Sequence, residues 1–322
     1  FPNAKFIISG SSSLELTDKL AKFLVGRMFS FNLYPFSFGE FLDAKDSRLS
    51  SMWKEKNKMV SGFVLEGKDF ATHEDIFVKD ILKLFGEYAV FGGYPEVIKA
   101  EDIETKRIVL KNIYETYLTK DIIELLKITD VMKFRNIVVA LSSQHSGLLS
   151  FDSLASDCKS YYKEVRQFIS ILEETYVVRL LSPFHRNVGT ELKKNPKSYF
   201  LDSGLRNYVI KNFNDLELRE DKGGIAEGLA FSALADLVGD KGEIKYWRTL
   251  SKAEVDFVIK IGDEIIPIEA KYQNLTKPEI SRSFRSFLSA YNPKRAVVLT
   301  KDFWDETEIG GAKIKFIPLC YL

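Results

Sequence analysis

Residues 253–272 read AEVDFVIKIGDEIIPIEAKY, and this stretch decides how the C-terminal third of the chain folds. Two alternating apolar runs flank Gly262-Asp263, a pair that suits a two-residue hairpin loop with glycine at the first central position of a II′ turn. Pairing outward from that loop sets Ile261 against Glu264, Phe257 against Ile268, Asp256 against Glu269 and Glu254 against Lys271. Asp256 and Glu269 then form a non-hydrogen-bonded pair, with Cβ atoms about 4.5–5.5 Å apart. Pro267 is tolerated in this register because its missing N–H points away from the partner strand. Alternation places Val255, Phe257, Ile266, Ile268 and Ala270 on the apolar face and projects Asp256, Glu269 and Lys271 together on the other. Two facing carboxylates repel unless a proton or cation lies between them, and a divalent metal is the usual answer. The same residues also admit a plainer reading, a cross-strand ion pair between Glu254 and Lys271 with Asp256 protonated or solvated.

Around the hairpin the pattern predicts helix Ile225 to Val238, strand Ile244 to Arg248, the two hairpin strands, helix Glu279 to Tyr291, strand Arg295 to Thr300 and a last strand Lys315 to Leu319. That α-β-β-β-α-β order describes a mixed α/β sheet domain over 223–322. It carries 14 basic and 14 acidic residues, so it lacks the basic surface common in DNA-cleaving domains. Glu227 reaches the acidic pair if the first helix packs across the sheet. Trp247 reads as core or as a substrate contact beside Arg248.

Upstream, 46–125 has helical periodicity interrupted by Phe91-Gly92-Gly93-Tyr94-Pro95-Glu96, which stops one helix and starts another. Over 126–211 the spacing predicts a short capped helix at Asp152 to Asp157, a turn, a helix at Tyr161 to Glu174, and two strands near 176–181 and 198–201. Lys159, Lys163 and Arg166 fall on one helical face and, with the turn lysines Lys193, Lys194 and Lys197, are candidates for phosphate contacts. Eight basic against six acidic residues over 126–186 make this a weak basic patch. Residues 212–222 are polar and read as a linker. At the start, Phe6 to Gly10 reads as a buried strand entering the turn Ser11-Ser12-Ser13, and 1–45 reads as the end of a larger unit.

The run FIISGSSSLELTDKLAKFLVGRMFSFNLYPFSFGEFL, with SYFLDSGLRNYVI further on, resembles prokaryotic and archaeal AAA-type ATPases. The phrases YWRTLSKAEVDFVI and IPIEAKY resemble the PD-(D/E)xK nuclease superfamily in the form attached to the C-terminus of such ATPases (DUF4143/DUF234-like). The resemblance implies an α/β multidomain chain: the end of an ATPase domain, a helical lid, a winged helix and a restriction-endonuclease-like domain. It gives Ser11 the sensor strand and Arg27 the place of an arginine finger, with a solvated surface arginine as the other reading. ATP belongs to the full-length protein only, because no GxxxxGK[ST] loop occurs here. The simplest reading is a piece of a longer chain whose ATPase segment precedes Phe1.

Carried over residue by residue, Asp256, Glu269 and the carbonyl of Ala270 would bind Mg²⁺ or Mn²⁺, Glu227 would complete the metal shell, and Lys271 would steady the attacking water or the phosphate. The expected function is a metal-dependent nuclease acting on DNA; the alternative is a non-catalytic binding or regulatory module with the ATPase as a switch. Possible self-association stays open. Only two cysteines, Cys158 and Cys320, occur among 322 residues and they are far apart, which favours a reducing cytoplasm over a disulfide scaffold. A formal charge of +1 excludes a dedicated nucleic-acid coat protein, and no apolar run is long enough for a membrane span. His73, His145 and His185 are scattered and read as structural or solvated.

Overall fold

The computed structural model describes residues 31–71, 76–125, 130–184 and 194–322, with single positions at 7, 29 and 128. The expected strand at 6–10, apart from position 7, lies outside these residues, as do Ser11, Arg27, His73, His185 and Lys193.

The N-terminal half is helical: α1 (Phe38–Lys45), α2 (Ser47–Glu66), α3 (Val78–Phe91), α4 (Pro95–Lys99) and α5 (Ile103–Ile113), which runs on through a π-helical stretch (Tyr114–Asp121) into α6 (Ile122–Leu125). Local chemistry sets the starts. Ser37 and Glu40 form a reciprocal capping box at α1, and Asp46 accepts the Arg48 and Leu49 N–H groups at the head of α2. Then come α7 (Val131–Ser143), α8 (Phe151–Asp157), α9 (Tyr162–Glu174), the antiparallel strands β1 (Val178–Leu181) and β2 (Lys197–Phe200), and α10 (Ser203–Val209). The helix, turn, helix and two-stranded ribbon follow the sequence expectation closely.

The rest is α11 (Lys222–Val238), β3 (Glu243–Arg248), β4 (Glu254–Ile261), β5 (Glu264–Ala270), α12 (Arg282–Tyr291), β6 (Arg295–Thr300), β7 (Asp305–Ile309) and β8 (Ala312–Pro318). The six strands form one mixed sheet in the order β3-β4-β5-β6-β8-β7, parallel only at β5/β6 and β6/β8. Helix α11 covers one face, where Ile225, Phe231 and Leu234 meet Phe257, Ile259, Ile266 and Ile268. Helix α12 covers the other, where Phe284, Phe287 and Leu288 meet Val255, Val258, Ala296 and Val298. Trp247 is buried on the α12 side against Phe287, so it is core. Strand β7 escaped the sequence reading because Asp-Glu-Thr-Glu carries no apolar alternation; its pairing with β8 supplies the order instead.

The stretch read as a linker is packed. Leu216 and Arg219 are buried, and Arg219 donates to Asp221 and to the Asn212 carbonyl. Among the described residues no helix is long and apolar enough to cross a membrane.

Candidate functional site

The hairpin keeps its expected register from Ile261↔Glu264 to Phe257↔Ile268, with Gly262 at φ +57 in the turn. The ladder stops one pair short of Asp256 and Glu269. The cause lies on the other edge of β4: Lys245 pairs with Val258 but Trp247 with Val255, so Asp256 and Phe257 together oppose Tyr246. This extra residue is a β-bulge, and it resets the alternation. Val255 turns to the α12 side while Phe257 stays on the α11 side, which corrects the expectation that both share one face.

Asp256 consequently does not confront Glu269 across the ladder. Its Oδ2 accepts the Ala270 N–H at 2.8 Å, taking the place of a ladder carbonyl, and its Oδ1 lies 3.8 Å from Lys197 Nζ. Glu269 reaches the other way: its Oε2 accepts from Ser281 Oγ at 3.1 Å, at the head of α12, and its Oε1 lies 3.8 Å from Lys271 Nζ. The expected Glu254–Lys271 pair is also replaced. Glu254 binds Arg248 and Lys197, while Lys271 donates to the Glu279 carbonyl.

The residue that organises the site is Lys197, which the sequence reading placed among exposed turn lysines. Its side chain is 3% exposed, with Nζ 2.8 Å from Glu227 Oε1 and 2.5 Å from Glu254 Oε1. Tyr199, two residues on, donates its hydroxyl to Glu227 Oε1 at 2.6 Å. Residues i and i+2 share a strand face, so the apolar ring of Tyr199, stacked on Phe231, carries Lys197 into the same interior. The signal was available: Lys197-Ser198-Tyr199-Phe200 alternates, and placing Tyr199 in the core would have placed Lys197 beside it.

Charge follows this geometry. Burial, reinforced by the Glu227 charge, pushes the Asp256 carboxyl up to about 7. Burial also raises Glu269. Burial opposes ionisation of Glu254 as well, but Lys197 and Arg248 hold its carboxyl below the usual range. For Lys197 burial disfavours the ammonium, yet Glu227, Asp256 and Glu254 together raise its pKa above that of a free lysine.

Among the described residues no three acidic, histidine or cysteine side chains converge closely enough to hold a metal ion. Mg²⁺ or Mn²⁺ at Asp256, Glu269 and Ala270 therefore does not fit this arrangement: both carboxylates are engaged by protein partners, and an ammonium lies among the acids. Of the residues proposed for nucleic acid, Lys159, Lys163 and Arg166 are exposed, Arg166 lying over the Phe151 and Tyr162 rings, but Lys159 sits at φ +51 in the turn between α8 and α9, which corrects the expectation that all three share one helical face. Arg248 is committed to Glu254.

His145 is structural. Its Nδ1 accepts the Phe200 N–H at 3.1 Å, and a Cβ on Gly228 of α11 would fall 2.2 Å from its Nε2. Burial, with the nearby Arg206 charge, pushes its pKa down to about 3. The unfolded chain binds this proton near pH 6.5 and the folded chain does not. Stability from a neutral His145 is thus full above 6.5 and lost as pH falls towards 3. Urea titrations from pH 7 to 4 are expected to show a shallower acid loss for His145→Gln than for the parent.

An AAA domain model matches residues 1–42, a Domain of unknown function (DUF8612) matches 82–216, and a Domain of unknown function (DUF4143) matches 222–322. These matches support an AAA-like, ATPase-related protein. The chain is similar to an uncharacterized protein of Haemophilus influenzae, 22% identical over 321 residues, which cover 98% of this chain and 70% of that protein. An uncharacterized protein of Methanocaldococcus jannaschii is 25% identical over 291 residues, 88% of this chain and 58% of its own. One of Mycobacterium tuberculosis is 28% identical over 199 residues, 61% of this chain and 44% of its own. This ATPase-related chain thus spans part of each relative. The phrase SYFLDSGLRNYVI, Ser198–Ile210, falls inside the match over 82–216.

Proposed function

We propose that the chain is the C-terminal part of an AAA-type ATPase in which the nuclease-like α/β domain is a binding and regulatory module, closed by its own winged-helix ribbon, and the ATPase is the switch. The observation that carries this reading is that the carboxylates of Glu227, Asp256 and Glu269 all have partners within the chain, at 2.8, 2.8 and 3.1 Å respectively. A phosphodiester and its metal would have to displace these partners, and the one charged group among them, the buried Lys197 ammonium, would be left unpaired at a cost of about 3–5 kcal/mol. Lys159, Lys163 and Arg166 remain on the outside of the module. They are the face it would offer to DNA phosphates, for which a log–log salt slope of no more than about −2.7 is expected from three contacts.

The test is calorimetric titration of the protein with Mg²⁺ and Mn²⁺, together with incubation of supercoiled plasmid. No saturable metal binding and no cutting are expected. Metal-dependent cutting that disappears in Asp256→Ala would replace this reading with the enzymatic one.

A further inference from the structure

The ribbon and the sheet domain meet through more than packing. Beyond β1, Phe184 N–H donates to the Tyr246 carbonyl at 2.5 Å and Tyr246 N–H to the Ser182 carbonyl at 3.1 Å, so the chain leaving the ribbon lies along the β3 edge. Tyr246 Oη donates to the Asn195 carbonyl at 2.5 Å, and Lys194 Nζ to the Arg248 carbonyl at 3.2 Å. Strand β2 is buried along its length, with Tyr199 in the α11-side core of the sheet domain and Phe200 in the core of the helical module. Lys197 stands at the start of that strand, where it meets the bulge of β4.

We infer that Lys197 is the resident counter-ion of the Glu227–Glu254–Asp256 cluster, and that this charge set latches the ribbon onto the sheet domain. The inference deepens the reading above and rests on it for the ribbon's role as a closure. Three physical points carry it. Three carboxylates at one sheet end repel unless a cation offsets them; Lys197 contacts all three, at 2.8, 2.5 and 3.8 Å. Its side chain is 3% exposed, so the ammonium is not stabilised by water and depends on these acids. The acids lie on α11 and β4 whereas the cation lies on β2, so the contact joins separate elements and is lost if the ribbon lifts. Opening the ribbon would uncover both charges together, which makes closure sensitive to anything that pulls on the helical module.

The experiment is a charge cycle on the whole chain, read by urea unfolding. Lys197→Met alone is expected to reduce the folding constant about a hundredfold or more, because it leaves buried carboxylates uncompensated. In a background carrying Glu227→Gln, Glu254→Gln and Asp256→Asn the same change is expected to cost less than about tenfold, since apolar replacement of a whole buried ionic set is often near neutral. An equal cost in both backgrounds would overturn the latch and leave Lys197 a packing residue. Should Lys197→Met fail to fold, brief acetylation of the parent protein with peptide mass mapping decides. Lys197 is expected to stay unmodified while Lys159 and Lys163 react, and modification of Lys197 at the rate of Lys159 would overturn the inference. Failure of the functional reading shows differently, as metal-dependent cutting, and either outcome can occur without the other.

Discussion

Gly204→Ala is expected to destabilise the protein by about 3 kcal/mol or more, the upper range for overpacking against rigid neighbours. The reason is a close approach of backbones. A Cβ on Gly204 would sit 2.0 Å from the Phe91 carbonyl oxygen and 2.9 Å from the Gly92 nitrogen, and neither atom is the end of a flexible side chain. Gly93 faces the same limit, with its Cβ position 2.1 Å from the Phe36 carbonyl oxygen. The approach exists because α10 closes the end of α3. Asn207 Nδ2 donates to the Ala89 and Val90 carbonyls at 3.1 and 2.9 Å, two of the carbonyls a helix end leaves without partners. Asp202 accepts the Gly93 N–H at 2.8 Å and the Leu205 N–H at 2.7 Å, so one buried carboxylate both caps α10 and fixes the turn after α3. Any side chain at 204 must push α10 off this end and break several of these bonds together. Thermal unfolding is the measurement, with an expected drop in Tm on the order of 4–5 °C. Gly86→Ala in the middle of α3 is the control. Nothing lies within 4 Å of its Cβ position, so a gain of about 0.4–1 kcal/mol is expected there. A Gly204→Ala protein as stable as the parent would mean that α10 does not pack against α3 in this way.

This clasp shows how far local sequence carried. Gly92-Gly93 was legible as a helix stop, because turns are written in a few adjacent residues, whereas Asp202 to Arg206 stood out only within a family resemblance. That the two are halves of one contact, 109 residues apart between Gly93 and Asp202, was not, since nothing local encodes the partner. The hairpin is the mirror case. Its register followed from Gly262 and the alternation, and five of its pairs stand as expected. The bulge at Asp256 was invisible because it is created on the β3 side, where Tyr246 has two residues opposite it. That one insertion separates the surroundings of Asp256 from those of Glu269, so the chemistry inferred from ideal pleating changes with it. Lys197 failed for a further reason. A lysine following Asn-Pro in a chain segment with other lysines reads as solvent-facing, and only the charges on α11 and β4, brought in by the tertiary fold, make its burial tolerable.

Asp221→Ala is expected to cost about 3–5 kcal/mol, the range for removing one partner of a buried ionic set. Two guanidiniums depend on this carboxylate. Arg219, fully buried, donates Nε to Oδ1 and Nη2 to Oδ2, both at 2.8 Å, and Arg206, nearly as buried, donates Nη1 to Oδ2. Each arginine spends other donors on carbonyls, Arg206 on Ser142 and Arg219 on Asn212, so the ends of α7 and α10 and the approach to α11 are held at one point. With the carboxylate gone, two positive charges remain side by side out of water, and their remaining bonds to neutral carbonyls do not offset them. Asp221→Asn keeps the shape but not the charge and is expected to fall between the parent and Asp221→Ala. The pH dependence separates charge from shape. Burial works against ionisation of Asp221, but the bonds and charges of Arg219 and Arg206 outweigh it and hold the carboxyl below its usual 3.8. A depressed carboxylate contributes stability that is present above the unfolded pKa and is lost as pH falls through the folded one. The parent is therefore expected to lose this contribution only below about pH 4. The deficit of Asp221→Asn relative to it should be constant from about pH 7 to 4 and shrink below that. Urea midpoints measured at several pH values check both points, and a deficit that does not change with pH down to the acid limit would show that Asp221 acts through packing and not through its charge.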